Sequence, residues 1–166
     1  MYLTKEEERT CKGEFGKGQQ EAINLLVAIG DAYDAEKMIP ITRANAASSG
    51  QEGDLYFVEL LANGGARCKV PTTTNPVYDI PFFHRLFEIP KFEAEVARHV
   101  MEAYRRVGAI LNWSCTPYLV ENIPLYGETV AFSESSATPY VNSVIGAKTN
   151  REAAQSALAS GVIGKT

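Results

Sequence analysis

Segments with a helical repeat of apolar residues alternate with short apolar runs along the whole 166-residue chain, and no other property of the sequence narrows its fold as far. Thr4 and Glu7 stand at the spacing at which each side chain can satisfy a free N–H at a helix start, so a short first helix is expected to end between Gly13 and Gly18. Ala22, Ile23, Leu26 and Ile29 recur with helical period, which predicts a helix over 18–30 stopped by Gly30 and Asp31. The apolar run 37–41 predicts a strand, with Pro40 confining it to an edge or a bulge. Leu55, Val58, Leu61 and Ala62 then restore the helical period, and Asn63-Gly64-Gly65 end it with residues that tolerate a left-handed cap.

A second strand is expected over 66–70 and a brief helical turn over 81–86. Pro90 opens a long helix that keeps Phe92, Val96, Val100, Ala103 and Val107 on one face. Strands over 109–113 and 128–132 follow. A helix over about 136–145 holds Pro139 in its first turn, and Thr149-Asn150-Arg151-Glu152 has the spacing to start a last helix through Ala159. Strands separated by helices must be joined by right-handed crossovers. The fold class is therefore α/β, a mainly parallel sheet with flanking helices in one domain over 1–166.

Charge excludes several partners. With 16 Lys+Arg against 20 Asp+Glu and a formal net charge of −4, the chain has no basic field to recruit a phosphate backbone or an anionic membrane. The longest apolar run, 22–29, falls far short of the ~20 residues of a bilayer span. The first eight residues lack the basic-then-apolar layout of a secretion signal, so a cytoplasmic location is expected. Cys11, Cys68 and Cys115 are odd in number and widely spaced, which suits neither a disulfide framework nor a local metal knuckle.

In parallel sheets ligands gather outside the carboxyl ends of the strands. The segments after the four expected strands are Thr42–Asn45, Pro71–Pro76, Ser114–Tyr118 and Ser133–Ser136, each rich in hydroxyl or amide side chains that can hydrogen-bond at close range. Any one of them fits the ordinary composition of turns and caps. Together they outline a polar crevice. Ser135 and Ser136 also meet a helix start, where free N–H groups favour a carboxylate or a phosphate. Cys115 is the cysteine expected at a strand end, open to roles as a packing residue, a metal thiolate or a nucleophile. A nucleophile needs a base; His84 could approach, while His99 sits within the long helix. The tail Gly161-Val162-Ile163-Gly164-Lys165-Thr166 imitates a phosphate-binding loop, but Ala159 stands where that motif needs its first glycine.

Six stretches share order and spacing with one known family: the N-terminal residues 1–8, Pro71-Thr72-Thr73-Thr74-Asn75-Pro76, Cys115-Thr116-Pro117-Tyr118, Ser133-Glu134-Ser135-Ser136-Ala137, Asn142-Ser143-Val144-Ile145-Gly146-Ala147 and Thr149-Asn150-Arg151-Glu152. In these the chain resembles the N-terminal part of the aconitase X family from end to end. The resemblance implies an aconitase-like fold and a hydro-lyase that removes water from a small hydroxy acid such as cis-3-hydroxy-L-proline or 5-phosphomevalonate. It implies an iron–sulfur cluster or mononuclear iron, with Cys115 at one ligand position and no match for Cys11 or Cys68. Thr72, Thr73, Asn75, Ser133, Ser135, Ser136, Asn150 and Arg151 are the expected substrate-binding residues, Arg151 gripping a carboxylate through both arms of its guanidinium. No catalytic base is assigned. The family's remaining cluster cysteines and a small swivelling domain or subunit lie beyond these residues, so the chain is expected to be part of a longer catalytic unit and inactive alone. Two other readings stay open: a non-enzymatic module that binds an anion or hydroxy acid, and a Cys115/His84 hydrolase.

Overall fold

Four short parallel strands form one sheet in the order β3-β2-β1-β4, as described by a computed structural model that covers residues 1–48, 52–76, 83–84 and 86–166. Along the chain run α1 (Lys5–Cys11), α2 (Lys17–Ala32), β1 (Ala44–Ser48), α3 (Glu52–Asn63), β2 (Thr72–Pro76), α4 (Lys91–Arg106), β3 (Ile110–Leu111), a 3-10 turn (Pro117–Leu119), β4 (Ala131–Phe132), α5 (Ala137–Tyr140) continuing as a π-helix (Val141–Ile145), and α6 (Ala154–Ile163). The register sets Asn45 beside both Thr73 and Phe132, and Thr74 beside Leu111.

The helix signals at Thr4 and Pro90 operate as expected. Thr4 Oγ1 accepts the Glu7 N–H at 3.3 Å while Glu7 Oε2 accepts the Thr4 N–H at 2.6 Å, the reciprocal cap of α1. Pro90 precedes α4, whose Val100, Ala103 and Tyr104 are buried while Phe92 faces solvent. The turn expected over 81–86 rests largely on Pro81, Phe82 and Arg85, which lie outside the described residues.

The first two strands fall later than their apolar runs suggest. Residues 37–41 make only isolated bridges, Lys37 with Tyr2 and Pro40 with Lys165. Their backbone pairs with the chain end, where Ile39 and Thr166 exchange hydrogen bonds of 2.8 and 3.0 Å. The sheet strands are instead the small and hydroxyl-bearing stretches 44–48 and 72–76. Close packing of α6 explains this choice: a Cβ added at Gly161 would collide with the Thr72 hydroxyl. Only small residues on the strands and a glycine on the helix permit that approach.

The two faces of the sheet differ. Ala46 belongs to the main core with Leu158 and Val162 of α6 and Tyr104 of α4. On the opposite face Phe132 clusters with Tyr118, Val130, Ala137 and Val141, so the 3-10 turn and α5 cover that side. Alternation along a strand places Asn45, Thr73 and Asn75 on the Phe132 face. The fourth strand is shorter than expected, and the last helix starts at Ala154 rather than after Thr149, because Thr149 Oγ1 accepts the Phe132 N–H at 3.1 Å instead of capping a helix.

Candidate functional site

Beneath the carboxyl ends of the strands lies a buried polar layer. Thr73 Oγ1 donates to Asn45 Oδ1 at 2.8 Å and accepts from Asn122 Nδ2 at 2.9 Å, and that nitrogen also donates to the Ala44 carbonyl at 2.8 Å. Asn45 is fully buried. Its Nδ2 and the Oδ1 of Asn122 have no partner in the structure. Ser133 continues the layer upward: its hydroxyl accepts the Ala47 N–H at 2.7 Å and donates to the Asn45 carbonyl at 2.8 Å, stitching the end of β4 to β1.

Above this layer three chain segments converge. Asn75, near the end of β2, donates from Nδ2 to Cys115 Sγ at 3.0 Å in the loop after β3. Glu134, which follows β4, lies within the influence of the Asn75 side chain. Burial pushes the Glu134 carboxyl above the usual glutamate range, with the nearby Asn75 amide opposing that rise. Cys115 is exposed. The loop that carries it is held from within: Asn112 Oδ1 accepts the Ser114 N–H at 3.3 Å, and Ser114 Oγ accepts the Thr116 N–H at 3.1 Å. Trp113 adopts a left-handed φ of 48°, a conformation that a bulky residue holds at a cost of order 1–3 kcal/mol.

The expected site residues divide into groups. Asn75, Cys115 and the stretch from Ser133 to Ser136 meet at one end of the sheet. Ser135 is exposed, and Ser136 Oγ accepts the Tyr118 hydroxyl at 2.9 Å instead of capping α5. Thr72 and Thr73 lie within β2 rather than beyond a strand, and each is only 1% exposed. Thr72 packs against Gly161 on the α6 face and Thr73 sits in the polar layer, so neither hydroxyl opens to a ligand. Asn150 and Arg151 line a separate cavity of about 480 Å³ with Leu26, Ile29, Met38 and Ser156. Neither Asn75 nor Cys115 lines that cavity.

The other thiols lie elsewhere. Cys11, on α1, and Cys68, before β2, both pack against the main core, and burial pushes both thiols up. His99 is exposed on α4, and among the described hydrogen bonds none joins His84 or His99 to Cys115. Glu134 escaped the sequence reading. Its signal was present, a carboxylate between the hydroxyls of Ser133 and Ser135 directly after a strand, but hydroxyl and amide composition alone does not single it out.

A parallel α/β domain with a thiol, a carboxyl and amides where its strands end carries them at the edge where ligands of such sheets gather. Residues 1–166 match the family profile described as the first domain of aconitase X. The phosphomevalonate dehydratase large subunit of Methanocaldococcus jannaschii is 42% identical over 171 residues, which takes in 100% of this chain and 42% of that protein. Cis-3-hydroxy-L-proline dehydratase of Hypocrea jecorina is 32% identical over 151 residues, 90% of this chain and 25% of that protein. Among solved structures, the holo-form of aconitase X from Thermococcus kodakaraensis superposes with a TM-score of 0.85 at 39% identity, covering 100% of this chain and 42% of that one. The chain belongs to the aconitase X family. It spans less than half the length of the curated relatives that it matches.

Proposed function

We propose that this chain is the first domain of a hydro-lyase that removes water from a small hydroxy acid such as 5-phosphomevalonate or cis-3-hydroxy-L-proline. The observation that carries this reading is the meeting of Asn75, Cys115 and Glu134 at the strand ends of a chain that is 42% identical, over its full length, to a phosphomevalonate dehydratase large subunit. Because the relatives are more than twice as long, the remaining catalytic segment and a small swivelling domain or subunit complete the unit in this proposal.

Iron fits Cys115 as one thiolate ligand, in a cluster or as a mononuclear ion: the sulfur is exposed and accepts an amide N–H that steadies negative charge on it. Cys11 and Cys68 do not fit, being packed against the core. Among the described residues no group of three or more His, Cys, Asp or Glu is placed to hold a metal ion, so the further ligands come from outside this set. Such iron supplies Lewis acidity toward substrate oxygens. The protein's own groups do the rest. Glu134 keeps a proton at its carboxyl to a higher pH than an exposed glutamate, which suits it to exchange one with substrate near Cys115. Ser135 and Ser136 offer hydrogen bonds from the exposed rim, while Arg151 with Asn150, in the separate cavity, offers a grip for an anionic group.

Anaerobic purification with iron and sulfide, alone and together with the remaining catalytic segments, tests the reading. Iron uptake that depends on Cys115, with dehydration only in the completed unit, is expected. A completed unit that binds iron yet dehydrates neither hydroxy acid would sink the proposal.

A further inference from the structure

We propose that Asn142 is a positioning residue for Arg151: its side-chain amide clamps Thr149, and through that residue fixes the stretch that carries the guanidinium to the cavity wall, where it takes an oxyanion, a carboxylate or a phosphate. This rests on the reading above for Arg151 as the anion grip, but not for the dehydration.

Every polar group of Thr149 is engaged. Asn142 Oδ1 accepts the Thr149 N–H at 2.9 Å, and Asn142 Nδ2 donates to the Thr149 carbonyl at 3.0 Å. One side-chain amide thus takes both backbone groups of a single residue, as the partner residue of an antiparallel pair would. Thr149 Oγ1 accepts the Phe132 N–H at 3.1 Å and donates to the Asn150 carbonyl at 2.9 Å. Beyond Arg151, the Glu152 N–H donates to the Phe132 carbonyl at 3.4 Å. The two peptide groups that flank the Arg151 Cα are therefore both held, one by the Thr149 hydroxyl and the other by β4. Each is a rigid plane, so holding both sets the direction in which the Arg151 side chain leaves the backbone. Asn142 itself lies in the π-helical turn Val141–Ile145, a rare form that recurs at functional sites.

The side chain held in this way has no counter-charge. Arg151 is exposed, and among the described residues it makes no ion pair. Glu152, an acidic member of the same lining, is engaged elsewhere: Oε2 accepts the Ser156 hydroxyl at 2.6 Å and Oε1 the Thr166 hydroxyl at 2.9 Å. Lys37 also lines the cavity and, among the described residues, makes no ion pair either. Two uncompensated cations thus stand beside the apolar wall of Leu26, Ile29 and Met38. The planar fork of a guanidinium matches the two oxygens of a carboxylate or a phosphate. Fixing its stem in advance removes part of the ordering that binding must otherwise supply.

The test is binding of inorganic phosphate to the complete catalytic unit at fixed ionic strength, followed by phosphorus NMR line broadening, with thermal unfolding as a check on folding. Arg151→Gln defines the site by the binding that it removes. Asn142→Ala is expected to weaken that binding by roughly 3- to 10-fold, the scale of one lost hydrogen bond. Thr149→Val keeps the shape and loses the hydroxyl, and should weaken it likewise, whereas Thr149→Ser retains the hydroxyl and the affinity. In an Arg151→Gln background Asn142→Ala should change nothing further, because positioning acts through the guanidinium, while a general structural loss would add. Acetate titrated against the bound phosphate tells which oxyanion the site prefers. Native phosphate affinity in folded Asn142→Ala or Thr149→Val, an Asn142→Ala loss of equal size with and without Arg151, or phosphate binding that Arg151→Gln leaves intact would overturn the proposal. A unit that binds phosphate through Arg151 and Asn142 yet dehydrates neither hydroxy acid would end the dehydratase reading and leave this one in place.

Discussion

Lys165 Nζ lies 2.6 Å from Glu7 Oε1, an ion pair that fastens the last residues of the chain to its first helix. Glu7 is buried, and burial pushes its carboxyl up, but hydrogen bonds from Lys165 and Thr4 outweigh that and hold it below the usual range. A depressed carboxyl stabilises the fold above its unfolded pKa, and the contribution is lost as pH falls through the folded value. Glu7→Gln should therefore lower stability at pH 7 by about 1–3 kcal/mol, with the gap from wild type closing in acid. Urea unfolding at a series of pH values from neutral downward checks this.

Gly161 and Thr72 form the closest approach of α6 to the sheet. Gly161→Ala is expected to cost about 1–3 kcal/mol, the usual penalty for overfilling a packed core. Thr72→Ala removes the hydroxyl and methyl that the new Cβ would strike, so the double variant should be less destabilised than the two losses added together. Chemical denaturation of the four proteins of that cycle reads out the coupling.

Asn122 donates to both the Ala44 carbonyl and Thr73 Oγ1 from a nearly buried position. Asn122→Ala strands those acceptors away from water, and a loss of about 2–4 kcal/mol is expected. An Asn122→Ala protein with unchanged thermal stability would show that the polar layer contributes nothing to the fold.

Iron uptake should distinguish the three cysteines. Under anaerobic reconstitution of the complete catalytic unit, Cys115→Ser is expected to reduce bound iron sharply, whereas Cys11→Ala and Cys68→Ala, both at thiols packed on the core, should retain it. Iron analysis with the visible absorption spectrum measures the difference. Arg151→Gln in the same unit should raise KM for the hydroxy acid with little change in thermal stability, because Arg151 is exposed at the cavity wall.

The helices were readable because their signals are local. The reciprocal cap at Thr4 and Glu7, the proline before Lys91 and the glycines after Asn63 act within a few residues of themselves. Strand placement was less readable because it depends on a partner far along the chain. Ala-Asn-Ala-Ala-Ser and Thr-Thr-Thr-Asn-Pro lack the apolar alternation of a half-buried strand, and they form the sheet because α6 packs too closely for larger residues. The apolar runs 37–41 and 66–70 were absorbed by contacts with the chain end and with the segment after α4. Cys115 nevertheless lies at the strand ends as expected, since it follows the third strand under either placement. The Asn75 bond to it was not legible, because sequence shows that two groups are polar but not that the fold brings one to the other.

The trio Asn45, Thr73 and Asn122 also fixes how the strands are aligned. Sliding β1 by one residue against β2 would bring Ala46 opposite Thr73, leave that hydroxyl facing a methyl group, and turn the Asn45 amide toward Leu158 and Val162. The inner polar layer thus rejects misaligned pairings that two strands of small, similar residues would otherwise tolerate, and it keeps Asn75 level with the loops it must reach.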